Sequence, residues 1–169
     1  QASNAATLHA VRVVDGALVW SYPLVASEAL EDPPAAPPSF GSFGDILVCF
    51  GDKIYSVDAE SGELNWYESI SESGYIVAAP AVHGDHLYVG NTAGRLYHLR
   101  VNEDNSGLSL SPSEKTKKAV SEVSRSFGQL LSSPVIFGGG TGVLQVDYDG
   151  LMVAYTLSGK KELWRYSYG

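Results

Sequence analysis

Residue types that do chemistry are sparse in this chain, and few sit at productive spacings. Its imidazoles are His9, His83, His86 and His98. His86 and His98 face each other if the runs around them pair as a hairpin, which brings two metal ligands together. A zinc site takes three or four protein ligands, so two histidines read as surface or hydrogen-bonded side chains. Cys49, the one cysteine, lies inside the apolar run Ile46-Leu47-Val48-Cys49-Phe50. A thiol there reads as buried and inert, because reactive cysteines need an electropositive, accessible setting. Asp147-Tyr148-Asp149-Gly150 opens like a calcium loop but lacks the later carboxylate that an EF-hand requires, so it reads as a tight turn. Phe137-Gly138-Gly139-Gly140-Thr141-Gly142 has the glycines of a phosphate cradle without the Lys-Ser/Thr and helix that complete one. It reads as a hairpin loop. No Gly-x-Ser-x-Gly turn presents a nucleophile.

The bulk properties bound the class of protein. The chain has 169 residues, 44% hydrophobic and 18% charged, which is a globular composition with enough length for a core. No apolar run reaches the roughly 18–20 residues of a membrane-crossing helix. The formal net charge of −8 repels phosphate backbones and argues against a nucleic-acid partner. One cysteine excludes an internal disulfide and says little about compartment. The absence of an initial Met or a signal peptide reads as processing or as excision from something longer.

The strongest signal is a repeat. The segments Leu8 to Trp20, Ile54 to Trp66 and Met152 to Trp164 superimpose. In each, an apolar residue stands 12 positions before a Trp, and a glycine (Gly16, Gly62 or Gly159) stands four or five before it. All three tryptophans of the chain, Trp20, Trp66 and Trp164, occupy this one position. Alternation in Ile54 to Asp58 suits a pleated strand. The glycine supplies the positive φ of a hairpin corner, and a second strand then carries the Trp to one face. A large aromatic at a fixed place in each repeat is expected to wedge between adjacent sheets. A fourth copy, Arg95 to Val101, has a longer turn, Asn102 to Gly107, with Leu108 or Leu110 at the Trp position. Further strand pairs precede each hairpin, as in Ala78 to Gly90 and Ser132 to Val146. The unit is four short antiparallel strands, and the 46 residues from Trp20 to Trp66 are one propeller blade in length.

The order apolar-x-x-apolar-Asp, then Ser/Thr-Gly, then x-x-x-Trp is best seen in Tyr55 to Trp66, where Asp58 is the repeat's Asp, and next in Leu151 to Tyr166. It resembles the quinoprotein alcohol dehydrogenase-like propeller family, or PQQ-like repeats. The resemblance implies an all-β propeller whose tryptophans pack between blades. It covers nearly the whole chain apart from 28–38 and 109–127. A partial blade at 7–24 and blades at about 38–70, 76–111 and 128–168 give three and a half blades in a single segment. Propellers close with four to eight, so this is expected to be an arc that further blades or a protein partner completes.

For activity the resemblance is weaker. Quinone-dependent members use a catalytic Asp, a Ca²⁺ held by Glu, Asn and Asp, and commonly adjacent cysteines. One cysteine cannot form that pair, so neither PQQ nor calcium is expected and no catalytic, cofactor-binding or metal residue is assigned. The resemblance implies a non-catalytic protein-binding scaffold in a periplasmic, lumenal or secreted setting. The alternatives are a fragment of a quinone-dependent dehydrogenase and a lumenal or periplasmic sensor domain.

Two segments fall outside the repeat. Glu31 to Pro38 is proline-rich and reads as a stiff inter-blade connector. Ser111-Pro112-Ser113-Glu114 reads as a capping box, with Ala119, Val120, Val123 and Phe127 at helical spacing. A short helix is therefore expected near 112–125. Its Lys115, Lys117, Lys118 and Arg125 form a basic face, either solvated or docking an acidic partner.

Overall fold

The computed structural model describes residues 5–27, 32–70, 73–108, 120–124, 127–158 and 161–168. Among these, every regular element is a β-strand. A two-stranded leading sheet pairs β1 (Ala5–Val11) with β2 (Leu18–Val25). A first four-stranded sheet contains β3 (Ser39–Phe40), β4 (Asp45–Phe50), β5 (Lys53–Asp58) and β6 (Leu64–Ser69). A second contains β7 (Ala81–His83), β8 (His86–Gly90), β9 (Leu96–Arg100) and β10 (Val120–Ser124). A third contains β11 (Val135–Phe137), β12 (Gly142–Val146), β13 (Leu151–Thr156) and β14 (Glu162–Ser167). Each is an antiparallel meander in chain order. Among the described residues, no helix is long and apolar enough to cross a membrane.

The sequence accounts for this layout. Pro38, Pro80 and Pro134 each stand immediately before the first strand of a four-stranded sheet, where a missing N–H costs no ladder bond. These short first strands are neighbours from sheet to sheet: β3 lies beside β7, and β7 beside β11. Ser39 Oγ donates to Pro80 O at 2.7 Å across that row. The proline-rich connector is partly built into the sheet, because Ala36 N donates to Cys49 O at 2.9 Å and Gly51 N to Pro34 O at 3.0 Å.

Both faces of the middle sheets are apolar, and each is buried by a neighbour. Leu24, Val48, Phe50, Tyr55 and Val57 fill the space between the leading and first sheets. Leu47, Cys49, Ile54, Trp66, Leu87, Val89, Tyr97 and Leu99 fill the next. Tyr88, Leu96, Phe127, Leu130, Val143, Val153 and Tyr155 fill the third. The odd and even residues of β4 and β5 enter different cores, as the two-residue pleat requires.

The expected helix near 112–125 is corrected where it is described. Residues 120–124 are strand β10, paired with β9 through Val120↔Leu99, Ser121↔His98 and Glu122↔Tyr97. Residues 112–119 and 125 lie outside the described residues. The run that sat at helical spacing also contains β-branched Val120 and Val123, and pairing satisfies the edge of β9 that would otherwise present bare N–H and C=O groups. The second blade therefore draws its outer strand from beyond 111, past the end that the repeat pattern suggests. Leu108 instead makes an isolated bridge to Val101.

Asp52 pins the leading sheet to the first. It accepts from Ser27 N at 3.0 Å, Ser27 Oγ at 2.6 Å and Ser69 Oγ at 2.5 Å. Burial pushes its carboxyl upward, but the hydrogen bonds from Ser27 and Ser69 outweigh this and hold it below the usual carboxylate value. A depressed carboxylate contributes stability above its unfolded-state pKa and loses it as pH falls through the folded value. Acid titration is therefore expected to loosen this joint below about pH 4. Hydrogen exchange in β2 should rise there in the wild type, and the rise should be absent in Asp52→Asn, which is already loosened at neutral pH.

Trp66 is 6% exposed, so Trp66→Ala should cost about 3–5 kcal/mol in a denaturant series; a loss under about 1 kcal/mol would place the ring outside the core. Gly62 and Gly16 hold equivalent corners at φ 75° and 69°. A Cβ at Gly62 would meet the Trp20 ring at 2.6 Å, whereas at Gly16 it meets nothing within 4 Å. Gly62→Ala should therefore lower the melting temperature more than Gly16→Ala. Equal losses would mean that backbone strain alone sets both.

Candidate functional site

The feature that recurs through the fold is the joint between sheets, in which an indole of one sheet meets a corner of the next. Trp20 on β2 lies against the β5–β6 corner of the next sheet, over Gly62, and its Nε1 donates to Ala59 O at 3.0 Å. Trp66 on β6 reaches the β9–β10 connection, where its Nε1 donates to Asn105 Oδ1 at 2.8 Å. Asn105 adopts φ 54°, a left-handed conformation that asparagine tolerates better than most residues. In both joints an indole of one sheet docks on the left-handed corner of the following sheet.

Each corner is held by local hydrogen bonding. Asp58 Oδ1 accepts from Glu60 N at 3.1 Å, Ser61 N at 2.7 Å and Ser61 Oγ at 2.9 Å. The Ser61 bonds keep this carboxyl below its ordinary range. The repeat's aspartate is thus occupied in shaping its own turn. Asp45 is similarly engaged by Ser56 Oγ at 2.6 Å. Asp147 accepts from Gly128 N at 2.7 Å and Leu151 N at 2.8 Å.

Trp164 occupies the same position on β14, where no further sheet among the described residues covers it, and it is 44% exposed. Register defines the face it belongs to. Val135↔Leu144, Leu144↔Ala154 and Ala154↔Trp164 are direct cross-strand partners, so these four point to one side. Val146↔Met152 and Met152↔Tyr166 form the next row. The corresponding rows of the first sheet are Leu47–Ser56–Trp66 and Cys49–Ile54–Glu68, and their apolar members lie in the core against the second sheet. On β14 the stripe continues through Tyr166 and Tyr168, 55% and 71% exposed. Those two rings meet edge to face at 5.1 Å.

The leading sheet is open at its corner. Its β1–β2 corner holds Val13, fully exposed, and Gly16 with open space where Gly62 has an indole. Arg12 Nη1 donates to Asp15 Oδ2 at 2.9 Å, and Asp15 Oδ1 accepts from Ala17 N at 3.0 Å, so this corner is shaped without a neighbour. Gly159, and the basic Lys115, Lys117, Lys118 and Arg125, lie outside the described residues. The stripe Trp164-x-Tyr166 was not singled out from the sequence. Its signal was there in Trp20-x-Tyr22, which shares the spacing and is packed inward.

The histidines His86 and His98 do lie on paired strands, with Nδ1 of one and Nε2 of the other 2.7 Å apart and their rings stacked at 4.9 Å. One nitrogen donates and the other accepts. Burial holds His86 below the ordinary imidazole value against the pull of Asp85. Among the described residues, no group of three His, Cys, Asp or Glu side chains is placed to hold a metal. Burial pushes the Cys49 thiol far above its ordinary value, and it lies within the core. The glycine-rich 138–140 is the β11–β12 turn, closed by Thr141 N donating to Phe137 O at 3.1 Å.

Solved structures share this architecture. BamB from Moraxella catarrhalis is 18% identical with a TM-score of 0.68, over 96% of this chain and 47% of that one. A quinohemoprotein alcohol dehydrogenase from Comamonas testosteroni is 15% identical with a TM-score of 0.64, over 95% of this chain and 32% of that one. The Cps50 (Swd1) β-propeller domain of Myceliophteria thermophila is 16% identical with a TM-score of 0.61, over 94% and 52%. The chain thus spans about half or less of these structures, and at such identities the likeness is one of fold. Comparison with curated proteins returns no match. The family described as outer membrane protein assembly factor BamB matches residues 1–169. This chain, an arc of antiparallel propeller sheets joined by docked tryptophans, belongs to that family.

Proposed function

We propose that the chain is a non-catalytic protein-binding scaffold whose binding surface is the open face of the third four-stranded sheet. The observation that carries this is the Trp164–Tyr166–Tyr168 stripe. It has the register of Trp20, Tyr22 and Leu24, which pack inward in the leading sheet, and it stands exposed. Tyrosine and tryptophan supply rigid contact area with a polar tip, and they dominate the energetic centres of protein interfaces. An apolar sheet face of this kind is seldom left uncovered. Membership of the BamB family supports a periplasmic, outer-membrane-associated setting for the scaffold.

The reading includes no quinone and no calcium. Asp58 and Asp147 accept from backbone N–H groups of their own turns and Asp45 accepts from Phe43 N and from Ser56 Oγ on the paired strand, and the single cysteine cannot form an adjacent pair.

The test uses the protein at native abundance. Crosslinking in a native extract followed by sizing is expected to place the chain in an assembly, and the double variant Trp164→Ala/Tyr166→Ala is expected to release it. A chain that runs alone in native extracts overturns the binding reading. Saturable uptake of PQQ with calcium, accompanied by alcohol oxidation, overturns its non-catalytic part.

A further inference from the structure

We infer that the joint between the second and third four-stranded sheets is acid-sensitive, held shut by a pair of stacked imidazoles with room for no more than one charge.

The rings stand on one face of the second sheet. His86 and Tyr88 lie on either side of Leu87 along β8, and Tyr88 is paired with His98 across the ladder. The three therefore share the side on which Tyr88 meets Val143, Val153 and Tyr155 of the third sheet. His98 stacks on His86 at 4.9 Å and on Tyr88 at 4.8 Å. His86 Nδ1 and His98 Nε2 lie 2.7 Å apart, the length of a hydrogen bond that uses one proton and one lone pair. A first charge leaves that bond in place, because an imidazolium still donates to a neutral ring. A second charge removes the lone pair and sets two cations in contact. Below the ordinary imidazole value of about 6.5 the unfolded chain binds a charging proton on each ring, whereas this geometry accepts at most one. The excess of protons on the open form weakens the joint as pH falls.

Among the described residues, the charges around the pair do little to offset a second one. His83 on β7 and Arg100 on β9 are the register partners of His86. Asp85 in the β7–β8 turn has Oδ1 at 3.6 Å from His86 Nε2, but Arg100 Nε already donates to its Oδ2 at 2.8 Å. On β10, Ser121 is in register with His98 and Glu122 with Tyr97, which belongs to the core against the first sheet. The third sheet brings Tyr155 to the joint, and Glu162, its partner on β14, is held by Arg165 Nε at 2.8 Å. Burial holds His86 below the ordinary imidazole value and Tyr88 far above the ordinary phenol value, as expected of a place that resists charge.

The histidines also reach the third sheet directly. A Cβ at Gly140 would meet His83 Nε2 at 2.1 Å, so that ring lies against the β11–β12 turn, and β7 lies beside β11. Repulsion among these imidazoles is therefore felt at the contact between the two sheets.

Hydrogen exchange of the purified chain from about pH 7.5 to about pH 5, corrected for the intrinsic pH dependence of exchange, tests this. Protection in β8, β9 and β12 should fall below about pH 6.5, by up to about tenfold per pH unit for one excess proton, while β5 keeps its protection. The double variant His86→Gln/His98→Gln should flatten the profile. His9→Gln, which alters an exposed histidine on β1, should leave it as in the wild type. Protection that holds across the whole range overturns the inference, as does a fall of equal size in the double variant. Imidazole ¹⁵N shifts of the wild type give a check that needs no variant. The pair should take its second proton only as protection is lost, and uptake of both protons with the joint intact overturns the inference equally.

Discussion

The fold depends on a directional contact: an indole on the last strand of one sheet lies on the left-handed corner of the next. A four-stranded sheet of this size, apolar on both faces, cannot hide either face alone. Each sheet needs a neighbour on both sides, and the indole sets which neighbour and at what offset. Trp20 finds a backbone carbonyl at Ala59 and Trp66 finds the side-chain amide of Asn105. The acceptor atom changes between joints while the geometry persists. What recurs is therefore the burial of a ring against a corner that lacks bulk, with the N–H satisfied by whatever acceptor the corner presents.

This constraint explains why the chain's polar side chains yield so little chemistry. Asp58 and Asp147 accept hydrogen bonds that fix turns, Asp45 accepts from Phe43 N in its turn and from Ser56 Oγ on the paired strand, and Asp52 ties Ser27 to Ser69 across two sheets. Tyr55 Oη donates to Val25 O and accepts from Val25 N at 3.1 Å, joining the same two sheets a second time. His86 and His98 satisfy each other inside one hairpin. These groups are spent on positioning strands and sheets. Aromatic surface also remains on the outer strand of the third four-stranded sheet, where Trp164, Tyr166 and Tyr168 are exposed.

Much of this architecture was legible in the sequence, because hairpins are local. The distance from an apolar residue to its Trp, with glycine at the corner, fixes strand, turn and strand within 13 residues, and β5–β6 and β13–β14 lie where that pattern puts them. The outer strand of the second sheet was hidden because a long insertion separates it from β9. Val120 and Val123 suit a helical stripe and a strand alike, and only the unpaired edge of β9 decides between them. The asymmetry of the site was legible in part. All three tryptophans share one sequence position, so nothing in that position separates the two docked rings from the one that is exposed. That difference is set by whether another sheet stands next in space, and local residue spacing carries no record of it.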